Sequence, residues 1–580
     1  MKQSQLNANP EAGFLDEQLA QLLLRLCHTA GVELDSQQQA TLSQLARHTS
    51  LTTRQGIVAA PLPADLDLAS LPDDLPVLGK PGDYKPLIME QGHVWLNRYW
   101  QYEQRLADNI RARLHRLALH PTQAASLEQS LQTWFPHPDT ALQAHAVAQA
   151  AQHPFLIISG GPGTGKTTTV TRLLCLLIEQ MNIAPGRIRL AAPTGKAAMR
   201  LQEAIQQAKR KLDLSAELAA DIPEQGSTLH RLLGYIPGRT SFVHNRHNPL
   251  PADVVIVDEA SMIDIALMTQ LFEAVPTQAR LILLGDKDQL ASVETGSIFR
   301  DLCADTQASV HPLDTHTVVL KKSWRFAQDS GIGQLAQAVL TQQTDAIRQL
   351  LQQPPPDLIW QPQARLDAQH LQSLWRDYLQ SVRHWSAQQA TDADLQALFA
   401  AFNHFRILTP MRQGPLGTET INQSLNRLLA PALGHYRPAQ WFAGRPIMVT
   451  ENDYRQRLFN GDIGLTLPDH TGQLKVWFVD TQHGGFRALS PVRLPRHETT
   501  WAMTIHKSQG SEFDKVLMLL PEQADARILV RELIYTGITR ARKQLIIMGK
   551  ENVLLAAMRR SLPDTSRIRA RLRQSTQTQS

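Results

Sequence analysis

Cysteine is nearly missing from this chain of 580 residues: there are 3, at Cys27, Cys175 and Cys303, far apart in sequence. Such spacing supplies neither a disulfide framework nor a thiolate metal cluster, and the scarcity is what a reducing, cytoplasmic setting is expected to show. Also missing is any apolar run of the ~20 residues that cross a bilayer. The first twenty residues, MKQSQLNANPEAGFLDEQLA, are polar and lack the apolar core of a signal peptide. No two of the 21 histidines flank a glutamate at helical spacing, so the zinc-protease pattern is absent and most histidines are expected on the surface. What remains, 43% hydrophobic and 19% charged residues, is a globular composition. The length implies several domains. The net charge of +5 is compatible with a nucleic-acid partner but does not select one.

Residues 15 to 48 read as helical, with Leu15, Leu19, Leu22, Leu23 and Leu26 on one stripe. A stretch holding Pro61, Pro63, Pro72, Pro76, Pro81 and Pro86 excludes a long helix. A short strand and a charged helix follow. Residues 1–120 are thus expected to form a separate, mainly helical N-terminal domain without a catalytic constellation. From about 140, short apolar runs at 155–158, 188–192, 254–257 and 281–284 alternate with helical stretches. That alternation predicts an α/β domain whose parallel sheet is covered on both faces. After a break at QQPPPDLIW (352–360), similar runs at 405–408, 516–520 and 545–548 predict a second one. Between them, short alternating strands with an Asn460-Gly461 turn predict a small β-barrel-like insertion at about 425–498. The expected boundaries are 1–120, 121–330 and 331–580.

The chemistry starts at LIISGGPGTGKTTTV (156–170). Gly160 to Thr167 match G-x-x-x-x-G-K-[ST] between a strand and a helix. Gly160, Gly161, Pro162, Gly163, Thr164 and Gly165 form a loop whose N–H groups can face phosphate oxygens, and the helix starting at Lys166, Thr167 and Thr168 adds its positive end. Lys166 is expected on the β- and γ-phosphates of ATP and Thr167 on Mg²⁺. In DVVIVDEASM (253–262), Asp258 ends an apolar strand, where it can hold the Mg²⁺ shell, and Glu259 is placed to deprotonate the attacking water. Gln289, in LILLGDKDQL, can contact the γ-phosphate or its water. Arg325 in SWRF and Arg540 and Arg542 in YTGITRARKQL are candidate fingers on transition-state charge, worth roughly 10³–10⁵ in rate when present.

The order of GGPGTGKTTT, AAPTGKAAMRL, STLHRLLG, VIVDEASM, LLGDKDQLASVETGSIFRDL, SWRF, NGDIG, TIHKSQGSEFDKV and RELIYTGITRAR resembles the superfamily 1 helicases, most closely the branch that moves 5′ to 3′. HKSQGSEFD, NGDIG and VWLNRYWQYE resemble, within that branch, the helicase subunits of bacterial heterotrimeric helicase-nucleases. The resemblance spans about 90 to 550. It implies two RecA-like motor domains, ATP and Mg²⁺ as cofactors, DNA single strands and duplex ends as substrate, and two companion subunits met through the N-terminal domain. It also implies a role in double-strand break repair and DNA end degradation. By this likeness, Gln289 senses γ-phosphate, Arg325 and Arg540 reach ATP from the second motor domain and its edge, and Gln143 reads adenine. Thr194, Lys196, Thr228, His230, His506, Lys507 and Gln509 match strand-contacting or coupling segments. Trp324 stands where tyrosine is common in the family. Lys196, Arg200 and Lys507 are candidates for DNA phosphate, and the basic tail RIRARLRQSTQTQS reads as a solvated end.

Two other readings remain at this point. A stand-alone 5′-to-3′ helicase would carry a longer N-terminal region with helix–hairpin–helix repeats, which residues 1–120 do not show. A non-hydrolysing ATP-binding scaffold would not need Lys166, Asp258, Glu259, Arg325 and Arg540 together. No Asp…Glu-x-Lys nuclease cluster occurs outside the ATP motifs.

Overall fold

The computed structural model describes residues 13–574 except 213, 237, 240, 292–294, 304–310, 328, 364–367, 387, 389, 436–440, 454, 481–483 and 524–527. Residues 292–294 of the LLGDKDQLASVETGSIFRDL stretch and the last six residues of the basic tail thus lie outside the described set.

The N-terminal region is less helical than its leucine stripe suggests. Helices α1 (Phe14–Thr29) and α2 (Ser36–Arg54) form a hairpin. Asp35 ends the turn by accepting from Gln37 N and Gln38 N, both at 2.8 Å, the bond that starts a helix. Against them lies a four-stranded sheet of β1 (Ala60–Pro61), β2 (Leu78–Gly79), β3 (Leu87–Glu90) and β4 (His93–Leu96), in the order β1-β4-β3-β2. Pro61 ends β1, and the other five prolines fall between the short strands. Helix α3 (Asn97–Arg111) leaves this unit and packs on the next domain. Arg105 pairs with Glu273 at 2.7 Å, and the buried Arg113 donates to the carbonyls of Phe272 (3.0 Å) and Val275 (2.6 Å).

The first large sheet contains β5 (Phe155–Gly160), β6 (Ile188–Ala192), β7 (Gly226–Thr228), β8 (Val254–Val257), β9 (Arg280–Gly285) and β10 (Thr317–Leu320). They are all parallel, in the order β10-β5-β9-β8-β6-β7. Every residue of β5 and β8 is buried, as a sheet covered on both faces requires.

The second begins with β11 (Leu358–Gln361) and β12 (Phe405–Thr409). The chain then leaves to build β13 (Pro446–Val449), β14 (Ile463–Pro468), β15 (Leu474–Val479), β16 (Phe486–Leu489) and β17 (His497–Thr499). It returns with β18 (Ala502–Thr504), β19 (Phe513–Leu519) and β20 (Ala541–Met548). The parallel order is β11-β20-β19-β12-β18. The excursion is an antiparallel sheet, β16-β15-β14-β13-β17, with two distinct edge strands among the described residues, so it is open where a barrel-like closure was expected. It also starts later than 425. The helix Thr418–Ala432 belongs to the second parallel sheet, because the Asn422 side chain bonds both ways to the backbone of Ala502, at 2.9 and 2.8 Å.

The described part of the basic tail, 567–574, is not a solvated end. After β20 the chain crosses back to the first sheet and the N-terminal region. Thr565 O accepts from Val58 N and Ala59 N. The helix Ile568–Gln574 buries Arg571, whose Nε donates to the fully buried Glu103 at 2.6 Å. No helix among the described residues is long and apolar enough to cross a membrane.

Candidate active site

The carboxyl ends of β5, β8 and β9 meet at one edge of the first sheet, where parallel α/β sheets place their ligands. Beyond β5, the loop turns through Gly163 (φ +76°) and Gly165 (φ +86°). These left-handed conformations favour glycine. Any side chain at Gly163 would also collide with Arg325 Cβ. The helix Lys166–Glu179 starts directly after the loop. Lys166 Nζ donates to the carbonyls of Gly160 (2.5 Å) and Gly161 (3.2 Å), and Thr164 Oγ1 donates to Gly161 O at 2.9 Å. Thr167 is half-buried and Thr168 exposed in the first turn.

Asp258 follows β8, its N–H donating to Ala191 O at 2.9 Å. Its carboxylate accepts from Glu259 N at 2.8 Å. Burial, and then the Glu259 charge, push Asp258 up to about 6, opposed by Lys166. Glu259 has φ +52°, a left-handed conformation that costs of order 1 kcal/mol. After β9, Asp286 is buried and its carboxyl is raised for that reason. It accepts from Gln289 Nε2 at 3.1 Å.

SWRF is seated on the phosphate loop. Trp324 N donates to Gly163 O (2.8 Å) and Ser323 Oγ to Pro162 O (3.0 Å). Arg325 therefore reaches the site from the chain just after β10, anchored on the first sheet, and not from the body of the second. Arg540 comes from the second sheet. It is buried, donating to Thr536 O at 3.1 Å and Ser511 O at 3.0 Å. Arg542 reaches the rim of the same cavity and pairs with Asp514 at 2.5 Å. Gln143 is buried with its amide N–H on Thr164 O at 3.1 Å, and its Oε1 has no partner among the described residues.

Gln143, Lys166, Thr167, Thr168, Asp258, Glu259, Gln289, Arg325 and Arg540 line one cavity of about 760 Å³ between the two parallel sheets, together with Pro162, Gly163, Thr164 and Gly165. Gly160 and Gly161 lie directly behind it in the loop. Among the further residues that line it, not singled out as part of the site from sequence, are Arg200, Asp286, Trp324 and Glu512. Arg200 was expected on DNA. It lies one turn after Lys196, and the helix carries it into the cavity. Glu512 pairs with Arg325 at 2.7 Å. Its signal was its place directly after HKSQGS.

Side chains from the second sheet close the cleft. The Tyr535 hydroxyl donates to Asp286 Oδ2 at 3.1 Å, Thr536 Oγ1 accepts from Leu290 N at 2.9 Å, and Gln509 Nε2 donates to Leu290 O at 2.6 Å. Gln509 is thus buried between the sheets, with no face for a DNA strand. Thr194 and Thr228 cap the helices that follow them, accepting from Ala197 N and Arg231 N at 3.2 Å. Lys196 is pushed down to about 7, first by burial and then by Arg200 and Arg406. His230 packs edge-on to Phe242 and Tyr235, and burial lowers both His230 and His506. Lys507 is exposed and pairs with Glu498 at 2.7 Å. Among the tryptophans, Trp501 is buried, while Trp324 is half exposed beside Gly165 with Lys322 Nζ 4.6 Å from its ring.

Two family models match the chain: an AAA domain over residues 143–295 and a UvrD-like helicase C-terminal domain over 499–548. The chain is 37% identical to the RecBCD enzyme subunit RecD of Mycobacterium tuberculosis, over 97% of its own length and 96% of that protein. It is 36% identical to the RecBCD enzyme subunit RecD of Haemophilus influenzae, covering 82% of this chain and 80% of that one. To the ATP-dependent RecD2 DNA helicase of Deinococcus radiodurans it is 34% identical, over 74% of this chain and 52% of the relative.

Proposed function

The chain belongs to the RecD family of DNA helicases, and from that premise we propose that it is an ATP-driven helicase subunit of a heterotrimer with RecB-like and RecC-like partners, acting on DNA ends in double-strand break repair. The observation that carries the motor reading is the single cavity between two parallel sheets that gathers Lys166, Asp258, Glu259, Gln289, Arg325 and Arg540. The subunit reading is supported by likeness: the chain is 37% identical to the Mycobacterium subunit across 96% of that protein. The N-terminal region suits docking to a partner subunit, since α1 leaves Phe14 and Leu15 77% and 63% exposed.

The residues present fit Mg²⁺–ATP. The Asp258 carboxylate, raised to about 6 by burial and Glu259, makes no ion pair among the described residues, and Mg²⁺ needs only one or two protein ligands beside phosphate oxygens and water. Thr167 and Asp258 are the proposed holders, and the ion supplies charge neutralisation at the phosphates. The loop amides of 160–165 and Lys166 bind the phosphate chain. The unpartnered Oε1 of Gln143 suits the amino group of adenine, with Trp324 beside it. Glu259 takes a proton from water as its oxygen bonds to the γ-phosphorus and the bond to the β-phosphate bridge breaks. Gln289 orients that water, and Arg325 and Arg540 stabilise the charge that develops. Closing and opening of the cleft then shifts the grip of Thr194, Lys196, Thr228 and His230 on the first motor domain, at about 121–330, against His506 and Lys507 on the second, at about 331–580. Strand grip combines backbone charge contacts and stacking. The small β sheet within the second domain is proposed to move with it, and travel 5′ to 3′ follows from the family.

The test is ATP hydrolysis by the purified chain with and without single-stranded DNA. Strong stimulation by DNA, lost in Lys166→Gln, is expected. Hydrolysis unaffected by Lys166→Gln would overturn the reading.

A further inference from the structure

We propose that Glu512 is a positioning residue for Arg325, a carboxylate from the second motor sheet that holds the guanidinium aimed into the nucleotide cavity only when the cleft is closed. This rests on the reading of Arg325 as a finger on the γ-phosphate. Arg325 and Glu512 come from opposite sides of the cleft. The backbone beside Arg325 is fastened to the phosphate loop through Trp324 N and Ser323 Oγ. Glu512 sits between Ser511 and β19, and Ser511 O accepts from Arg540. The bond between the two is a single one: Arg325 Nη2 donates to Glu512 Oε1 at 2.7 Å. The other terminal nitrogen, Nη1, is buried without a partner among the described residues. A guanidinium with one arm held by a carboxylate and one buried donor left over is oriented but not satisfied. Such a donor suits an anionic oxygen in the cavity that both residues line.

The surroundings fix the carboxylate in its charged form. Arg325, Arg200 and Arg540 together outweigh the burial of Glu512 and hold its carboxyl below the usual range. Arg200 Nη2 lies 3.5 Å from the Glu512 carbonyl, so the helix Gly195–Lys211 touches the same residue from the first-domain side. Glu512 is therefore where both candidate fingers and the segment bearing Lys196 converge. If the sheets part, Glu512 leaves with β19 while Arg325 stays on the phosphate loop. Placement of the finger is in this way tied to domain closure.

The experiment compares Glu512→Gln, Arg325→Ala and the double variant in the full-length chain. It uses single-turnover ATP hydrolysis with single-stranded DNA and, independently of turnover, the affinity for ADP–aluminium fluoride relative to ADP. Arg325→Ala is expected to lower both by a hundredfold or more. Glu512→Gln, which keeps the shape and one acceptor, is expected to lower both by about tenfold with KM for ATP unchanged within twofold. In the Arg325→Ala background it should cost nothing further, because residues acting as a unit are not additive. An equal loss in both backgrounds, or a rise in KM with kcat intact, would show that Glu512 acts on the nucleotide directly and overturn the proposal. If Arg325→Ala itself leaves hydrolysis and the analogue preference unchanged, the finger reading fails instead.

Discussion

Replacing Arg571 by alanine should loosen the end of the chain from the rest of the molecule. The side chain is 6% exposed and Glu103, its partner at 2.6 Å, is wholly buried. Nη2 lies 2.6 Å from Glu90, Nη1 donates to Gln104 at 3.2 Å, and the guanidinium sits 5.3 and 5.4 Å from the Trp95 and Trp100 ring centres. Removing one member of a buried ion pair strands the other charge, which costs about 3–5 kcal/mol. Among the described residues, Glu103 then keeps Arg567 N at 3.1 Å and Trp95 Nε1 at 3.4 Å. A chain with several domains has no single unfolding free energy, so the assay is native-state amide exchange in the helix Ile568–Gln574. If local opening governs exchange there, those amides should exchange roughly a hundred to several thousand times faster in Arg571→Ala. Adding Glu103→Gln should recover most of the protection, since the stranded charge is gone. Exchange in Arg571→Ala within about twofold of the parent protein would refute the reasoning, because it would mean that the buried pair does not hold the tail.

Three other outcomes are expected. Gly163→Ala forces a side chain onto a φ of +76° and against Arg325, so ATP hydrolysis should fall by a hundredfold or more while circular dichroism is unchanged. Tyr535→Phe removes a hydrogen bond of about 1 kcal/mol across the cleft to Asp286, and KM for ATP should rise about fivefold. His316, buried beside His153, is pushed down to about 4, so its unfolded form takes up a proton first as pH falls. The associated stability is complete above about pH 6.5 and lost progressively between there and pH 4, up to about 3 kcal/mol, on the reference value for histidine. In thermal melts, His316→Asn should flatten that acid-side decline; an unchanged decline would rule the histidine out as its source.

The sheets were legible where strands are wholly buried, or buried but for one residue, and last four residues or more. β5, β6, β8 and β9 fall where their apolar runs lie, because a parallel strand covered on both faces must be continuously apolar. Edge strands carry no such mark. β7, β11 and β18 lie at sheet edges, and β11 follows three prolines that read as a break. β10 is also an edge, and its residues are alternately half-buried and buried. The loop and the acids of the site were legible because phosphate chemistry restricts residue type and spacing together. Glu512 and Arg200 were not, since a charged residue gains its role here from the sheet facing it. The tail misled for a related reason: RIRARLR is a run of positive charge until Glu90 and Glu103, more than 460 residues earlier, are brought beside Arg571. Gln509 shows the converse, a match to a DNA-linked segment whose amide is spent on Leu290.

The most direct test of the motor is strand displacement by the purified chain, alone and with the proposed RecB-like and RecC-like partners, using ATP, Mg²⁺ and duplexes tailed at either the 5′ or the 3′ end. Unwinding from the 5′ tail that disappears with Lys166→Gln is the predicted result. Unwinding from the 3′ tail alone, or no dependence on Lys166 in any assembly, would contradict it.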